Sequence, residues 1–313
     1  MLKKYPHISN LFVKDISGGF KSIAATVVQT VVCTVFSTAS WLTYSTVAYT
    51  IGATTAQYLF LSNHELSHGM YSESPMKNKL LSILINGPIV VPYAISFREY
   101  HLAHHSFLGV PGKDMDLPSE FEKKIVSNSR IRKAIWLTFQ IVAYAIRPVL
   151  IKSQKITFYH IINLLFQIIY ISTIVFFFGW APVRMMILCV ILSGGVHPTA
   201  GHFLSEHFTN SSDQETFSYY GPLNMVTLNV GYHCEHHDFQ QIPGKYLPLL
   251  KNIASEYYED LEKHHSWTKM LKDFVFDDDI SLESRIIKKD KNSMEKVTTY
   301  KKNQYGTQKN RDS

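Results

Sequence analysis

Residues 22–63 contain no Asp, Glu, Lys or Arg, and this limits the folds that the chain can adopt. A helix needs roughly 20 apolar residues to cross the hydrocarbon core of a bilayer, so the run could supply two crossings joined by a tight turn. Two further apolar stretches, near residues 156–179 and 182–204, have similar length. We therefore predict an all-α integral membrane protein with about four transmembrane helices, at 22–42, 45–63, 156–179 and 182–204.

Positive charge is distributed unevenly between the segments that connect these stretches. Residues 69–155 contain many Lys and Arg, whereas the turn between the first two spans has none and the turn between the last two has only Arg184. Cytosolic loops of membrane proteins are enriched in Lys and Arg. This asymmetry predicts a basic cytosolic N-terminus at 1–21, a single domain at 22–283 that contains all the spans, and a cytosolic C-terminus. The polar, Lys-rich residues 284–313 are predicted to be a disordered tail.

Two segments between the second and third spans suggest helices that do not cross the membrane. Residues 80–97 are apolar but are interrupted by Gly87, Pro88 and Pro92, and irregular backbone at membrane depth is tolerated only where protein or a cavity covers it. We predict a re-entrant or interfacial segment there. Residues 131–151 mix aromatic and basic side chains, which suits a helix in the membrane interface or an amphipathic helix packed on the protein.

Ten of the fifteen histidines lie in four short clusters. Histidines spaced i, i+3 and i+4 share one face of a helix, and neutral imidazole is the commonest side-chain metal ligand. So many imidazoles exceed what one zinc ion coordinates, and with four crossings every cluster reaches the cytosolic side. We therefore predict a cytosolic, histidine-caged site for two metals. The clusters are His64 and His68; His101, His104 and His105; His202 and His207; and His233, His236 and His237.

Carboxylates near these clusters could accept the second ring N–H of a metal-bound imidazole. They are Glu65, Asp114, Asp116, Glu206, Glu235 and Asp238. The first cluster alone, HELSH, also matches the HExxH pattern of zinc proteases, with Glu65 as the base. That alternative gives the other clusters no role. Mostly-imidazole coordination suits Zn, Cu, Fe or Ni, but a site at the mouth of lipid-spanning helices favours a redox metal that uses O₂ on a lipid chain.

The order HxxxH, HxxHH, HxxHH resembles that of the membrane fatty-acid desaturase and hydroxylase superfamily. The flanking sequences PYAISFREYHLAHHSFLGVPGKDMDLP, HPTAGHFLSEHF and SYYGPLNMVTLNVGYHCEHHDFQQIPGKYLPLL resemble those of the sphingolipid delta-4 desaturases more specifically. The resemblance implies an enzyme of the endoplasmic reticulum membrane that converts dihydroceramide to ceramide by forming a trans double bond at C4–C5. It also implies two iron ions, O₂, and electrons from NADH through cytochrome b5 and its reductase. Nothing indicates a nucleic-acid partner.

The resemblance further implies which residues form the site. The diiron centre itself performs the chemistry, without a separate protein base, and His202 is expected near the metal ligands rather than among them. Ala103 and Cys234 stand where the family usually has Asp and Asn. Hydroxylation at C4, which gives phytoceramide, stays open as an alternative outcome. The implied ligands are His64, His68, His101, His104, His105, His207, His233, His236 and His237.

Overall fold

A computed structural model describes residues 1–151, 155–209 and 213–288, and these residues are mostly helical. The first half contains α1 (Ile16–Val35), α2 (Trp41–Val47), α3 (Ala53–Ser67), α4 (Pro75–Ile85), α5 (Ala94–Phe107), α6 (Glu120–Val126) and α7 (Arg130–Ile151). The second half contains α8 (Phe158–Phe178), α9 (Ala181–Gly194), α10 (His202–Ser205), α11 (His233–Asp238), α12 (Leu247–Ile253) and α13 (Trp267–Phe276). Two short strands, β1 (Ser218–Tyr219) and β2 (Lys263–His264), pair in parallel.

Two segments of the described chain are long and apolar enough to cross a membrane: Pro6–Val35, which includes α1, and α8. A third crossing results if α9 and the segment Pro198–Ser205 form one span, bent by 44°. The predicted span at 45–63 does not meet the same test. There a π-helical turn at Ala48–Gly52 separates α2 from α3, which leaves helices of 7 and 15 residues. The described residues thus contain two to three candidate spans.

Helix α3 occupies the centre of the bundle and packs against α1, α4, α5 and α9. Gly52, directly before α3, lies close to α9, because a Cβ atom there would be only 2.3 Å from Sγ of Cys189. Small residues permit such close helix contacts in membranes. The outward faces of α1 and α8 expose apolar side chains, as lipid contact requires; examples are Val31, Val35, Ile169 and Phe176.

The apolar residues 80–97 are divided as predicted, and they form no continuous helix. Helix α4 ends at Ile85, a 3-10 turn covers Gly87–Ile89, and α5 begins at Ala94. The side chain of Asn86 bridges this break, since its Nδ2 donates to the carbonyl of Val91 and to Oε1 of Gln167, while its Oδ1 accepts from the Ala94 amide. Buried backbone groups at the break are thereby satisfied inside the protein, as irregular structure at membrane depth requires.

Helix α7 presents two different faces. Trp136 and Leu137 pack into a buried cluster with Phe274 and Val275 of α13. The opposite face exposes a row of apolar side chains, which are Ile131, Ile135, Phe139, Val142 and Ile146. The helix is therefore packed on the protein through one face, and its other face has the apolar character of an interfacial helix.

The segment after α13 continues to pack on the body of the protein. Ile280 and Leu282 join the cluster around α13, and the Lys288 amide donates to the carbonyl of Gly109 at 2.8 Å. The guanidinium of Arg285 donates to the carbonyl of Asp116 at 2.6 Å. The predicted tail at 284–313 thus begins with a packed segment, and its residues 289–313 lie outside the described part of the chain.

A buried ion pair connects α6 to α7. The Arg147 guanidinium donates to both carboxylate oxygens of Glu122, at 2.6 and 2.9 Å, and its side chain is only 1% exposed. Burial opposes ionisation of Glu122, but Arg147 outweighs burial and lowers the pKa of the Glu122 carboxyl to about 2. Removing one partner of a buried pair leaves an uncompensated charge.

We expect Glu122→Gln to destabilise the protein by about 3 kcal/mol, because Arg147 then lacks a counter-charge. The matched control is Glu120→Gln, on the same helix. The side chain of Glu120 is 88% exposed and pairs with Lys123, and exposed pairs contribute at most about 1 kcal/mol. Thermal unfolding of the two variants in detergent measures the difference. Equal unfolding midpoints would contradict the role given to the Glu122–Arg147 pair.

Candidate metal centre

Four elements direct nine histidines toward one region. His64 lies in the last turn of α3 and His68 directly follows that helix. Helix α5 contributes His101, His104 and His105, and α11 contributes His233, His236 and His237. His207 follows α10. On α5 and α11 the i, i+3 and i+4 spacing places three imidazoles on one helix face, as the sequence predicts.

Five of these histidines form a first group, in which each residue has a ring nitrogen within 4.8 Å of one nitrogen of every other member. The members are His64, His68, His101, His105 and His236. Nε2 of His101 lies 2.9 Å from Nε2 of His68 and 3.0 Å from Nε2 of His105. Nε2 of His236 lies 3.1 Å from Nε2 of His105. Five imidazoles from three separate helices therefore converge on one point.

A second group adjoins the first and consists of His104, His207 and His237. His233 accompanies it, because its Nε2 lies 3.1 Å from Nε2 of His207 and its ring centroid lies 4.4 Å from that of His237. The rings of His105 and His237, one from each group, stack at 4.3 Å. The nine predicted ligands are thus divided between two adjacent groups.

Seven of these nine imidazoles have a lowered pKa, which favours the neutral form that binds metals. At His104 burial is outweighed by the carboxylates of Asp114 and Asp116, which raise its pKa. Burial, together with neighbouring imidazoles, lowers the pKa of His68, His101, His105 and His236 in the first group well below the usual value. The same causes lower the pKa of His233 and His237, and burial with the charge of Arg285 lowers that of His207. A neutral imidazole keeps one nitrogen lone pair free for a cation.

Contacts in the second group test whether a cation fits. Nδ1 of His104 donates to Oδ1 of Asp114 at 2.8 Å, and Nδ1 of His207 donates to the carbonyl of Glu215 at 3.1 Å. Their Nε2 atoms face each other at 3.1 Å, so in neutral rings two lone pairs oppose each other until a cation lies between them. Nε2 of His237 is buried and has no hydrogen-bond partner among the described residues. This donor set suits metal ions.

Two of the predicted carboxylates bond to histidines. Asp114 holds His104 and also accepts from the Gly109 amide at 2.8 Å. Oε1 of Glu206 accepts from Nδ1 of His202 at 2.9 Å and lies 3.7 Å from Nδ1 of His233. Such bonds fix which ring nitrogen carries the proton.

His202 and Glu65 lie beside the two histidine groups. Nε2 of His202 lies 2.6 Å from Nε2 of Gln57, and His202 belongs to neither group. Oε1 of Glu65 lies 3.7 Å from Nδ1 of His64, while its Oε2 accepts from the Gly244 amide at 3.0 Å. Glu65 therefore connects α3 to the segment after α11.

Two other predicted carboxylates face away from the histidines. Glu235 accepts hydrogen bonds from Ser218 and Tyr220, both at 2.8 Å. Asp238 accepts from the Tyr258 hydroxyl at 3.1 Å, and burial raises the pKa of its carboxyl to about 6. Both lie among the histidines of α11, but Glu235 joins that helix to the segment before it and Asp238 joins it to the segment after it.

The remaining candidates are Asp116 and the two positions that depart from the family pattern. Oδ2 of Asp116 lies 3.7 Å from Nδ1 of His104, beyond hydrogen-bond distance, and its side chain is 21% exposed. The Cys234 thiol donates to the carbonyl of Thr216 at 3.1 Å and lies outside both histidine groups. Burial raises the pKa of this thiol to about 12. Ala103, on α5, is partly exposed.

An apolar cavity of about 990 Å³ opens beside the histidines. His64, His104, His207 and His233 line it together with residues of α9. Val183 and Ile191 both line it, and at a rise of about 1.5 Å per residue they lie roughly 12 Å apart along the helix. The sequence did not reveal this cavity, because its wall is formed by residues from several helices that are far apart in the sequence.

Comparison with known proteins gives one family match and several related chains. The family model described as "Fatty acid desaturase" matches residues 39–269. "Sphingolipid delta(4)-desaturase DES1-like" of Oryza sativa subsp. japonica is 43% identical over 289 residues, which cover 92% of this chain and 88% of that protein. "Sphingolipid delta(4)-desaturase DES1" of Homo sapiens is 39% identical over 94% of this chain and 91% of its own. "Sphingolipid delta(4)-desaturase/C4-monooxygenase DES2" of Rattus norvegicus is 39% identical over 92% of this chain and 90% of its own length.

Proposed function

The chain belongs to the fatty acid desaturase family, and we propose that it converts dihydroceramide to ceramide by removing hydrogens from C4 and C5 of the sphingoid base. Members of this family are oxidoreductases, and so is this chain. The observation that carries the proposal is that histidines of both groups line one apolar cavity, which extends along α9. A lipid chain in that cavity would lie with one of its methylenes beside the histidines.

The residues that would hold two iron ions are His64, His68, His101, His105 and His236 in the first group and His104, His207, His233 and His237 in the second. Bound iron would supply, with O₂ and two electrons, the oxidising power that unactivated methylenes require. The protein itself contributes the remaining functions. Asp114 keeps the Nε2 lone pair of His104 directed inward, and the apolar wall of the cavity excludes water from the reacting carbons.

The proposal includes a location and an electron donor. A fourth crossing through residues 45–63 would bring all histidine clusters to the cytosolic side of the endoplasmic reticulum membrane, together with both termini. The distribution of Lys and Arg supports this orientation. Electrons would then come from NADH through cytochrome b5 and its reductase, on the same side.

Hydroxylation at C4 is the second candidate, because one of the related proteins carries both activities in its name. Both reactions can begin by hydrogen abstraction at C4. A zinc protease has less support. Glu65 would have to be free to activate water, but its Oε2 accepts from the Gly244 amide and the HELSH histidines lie among three others.

Product analysis separates these candidates. Microsomes that contain the chain are supplied with NADH and an N-acylsphinganine, and the sphingoid bases are analysed against microsomes without the chain. We expect a 4,5-trans-unsaturated base and about two iron ions per purified chain, since the two histidine groups suit two metals. A 4-hydroxylated base alone would favour the second candidate. The absence of both products would contradict a sphingolipid substrate. One bound zinc ion per chain, with an activity that requires Glu65, would support the protease.

A further inference from the structure

Asp116 is held in the wall of the cavity by its backbone. The Asp116 carbonyl accepts hydrogen bonds from the guanidiniums of Arg147 at 2.9 Å and Arg285 at 2.6 Å. The Asp116 amide donates to Oδ1 of Asp114 at 3.0 Å. Because its main-chain groups make these bonds, the position of Asp116 does not depend on its carboxylate.

The carboxylate of Asp116 has no hydrogen-bond donor within the described parts of the chain. Its nearest ring nitrogen, Nδ1 of His104 at 3.7 Å, already donates to Asp114. The side chain lines the apolar cavity instead, beside His104 of the second histidine group. An ionised group in an apolar wall is costly unless it is paired, so this carboxylate is suited to a donor that enters the cavity.

Two phenols line the cavity with Asp116. Tyr100 and Tyr144 are both lining residues, and neither hydroxyl bonds to another residue that the structure describes. The Tyr144 ring is fixed by Phe203, at 5.3 Å between ring centroids, and by the Arg147 guanidinium 4.5 Å above it. A phenol is a hydrogen-bond donor at neutral pH, so both side chains can donate to a group that enters the cavity.

If the proposed function is correct, the substrate brings matching polar groups to this place. An N-acylsphinganine has a hydroxyl on C3 and an amide on C2, directly next to the reacting C4. Groups that recognise them must lie beside the metal site, whereas the rest of the cavity has to be apolar. We propose that Asp116 accepts a hydrogen bond from the C3 hydroxyl and that Tyr100 and Tyr144 donate to the amide carbonyl. This polar site, which rests on the proposed function, would place C4 rather than another methylene at the histidines.

The test compares an N-acylsphinganine with its 3-deoxy counterpart. A hydrogen bond to a charged group contributes enough for a roughly 10- to 100-fold preference in kcat/KM for the 3-hydroxyl substrate in the unmodified protein. Asp116→Ala should lose that preference by lowering kcat/KM for the 3-hydroxyl substrate only, and Asp116→Asn, which keeps a neutral acceptor, should recover part of it. Tyr144→Phe should lower kcat/KM for both substrates alike, because both contain the amide.

Two further readouts separate substrate binding from metal binding. Iron content should be the same in Asp116→Ala and in the unmodified protein, since Asp114 holds His104. In a binding assay, the two substrates compete with a photoreactive N-acylsphinganine for the protein. Asp116→Ala should lose the preference for the 3-hydroxyl substrate there as well. Asp260→Ala is the matched control, because Asp260 is exposed.

Each contrary result has a defined meaning. An unmodified protein that converts neither substrate overturns the proposed function. An unmodified protein that converts both equally, or an Asp116→Ala variant that keeps the full preference, overturns the role of Asp116 while the proposed function stands. Loss of iron from Asp116→Ala would place Asp116 with the metal ligands and would also overturn this inference.

Discussion

Replacing His237 with alanine is expected to abolish desaturation and to remove about one of the two iron ions. Nε2 of His237 is buried beside His104 and His207 and has no hydrogen-bond partner among the described residues. Even partners one shell removed from a metal change activity 10- to 100-fold, so a direct ligand should cost more than about a hundredfold. Activity and iron content of purified protein, measured together, check this expectation.

The control for that variant is His265→Ala. His265 is exposed and lies outside both histidine groups, so its loss should change neither iron content nor turnover. Both variants should insert into membranes as the unmodified protein does, because the spans are untouched. If the His237→Ala protein kept its iron and its turnover, His237 would have to be removed from the proposed ligand set.

The second large effect is expected at Asp114, which does not touch the proposed metals. Its carboxylate accepts from Nδ1 of His104 at 2.8 Å and from the Gly109 amide at 2.8 Å. Asp114→Asn removes the charge that fixes the ring, and changes of this kind typically lower metal affinity 10- to 100-fold. Competition with an iron chelator measures the affinity for iron. A mild loss of folding stability alone would not lower that affinity roughly 10- to 100-fold.

Asp116→Asn is the natural comparison for Asp114→Asn. The two residues are two positions apart, but only Asp114 is within hydrogen-bond distance of His104. Iron affinity should therefore fall in Asp114→Asn and stay unchanged in Asp116→Asn. Equal effects of the two substitutions would contradict the separate roles that we give them.

Local spacing predicted much of this site because helix geometry is local. The i, i+3 and i+4 pattern placed His101, His104 and His105 on one face of α5, and α11 repeats it. The broken segment at 80–97 could be predicted for the same reason, since Pro lacks the amide hydrogen that continues a helix and Gly weakens a helix. These features depend on a few neighbouring residues.

Side-chain direction across the fold could not be predicted in the same way. Glu235 lies between two predicted ligands, but it bonds to Ser218 and Tyr220, which are 17 and 15 residues away. Asp114 bonds to a histidine, whereas Asp116, two residues later, lines the cavity. Such choices depend on which distant segment packs against each side chain.

The helix bounds within the predicted second span could not be derived from neighbouring residues either. An uncharged run predicts burial or lipid contact, but it does not reveal a π-helical turn such as Ala48–Gly52, which lies where α2 meets α3. Gly52 packs there against Cys189 of α9, so the turn is associated with a tertiary contact. The apolar cavity likewise results from helices that meet only in the folded chain.

The sphingoid-base profile of a cell that lacks its own sphingolipid 4-desaturase tests the proposed activity in its natural membrane. Expression of this chain is predicted to produce ceramides with a 4,5-trans double bond at the expense of dihydroceramides, while the His237→Ala variant leaves the profile unchanged. A profile that stays purely saturated, although the chain is present in the membrane with its iron, would contradict the account.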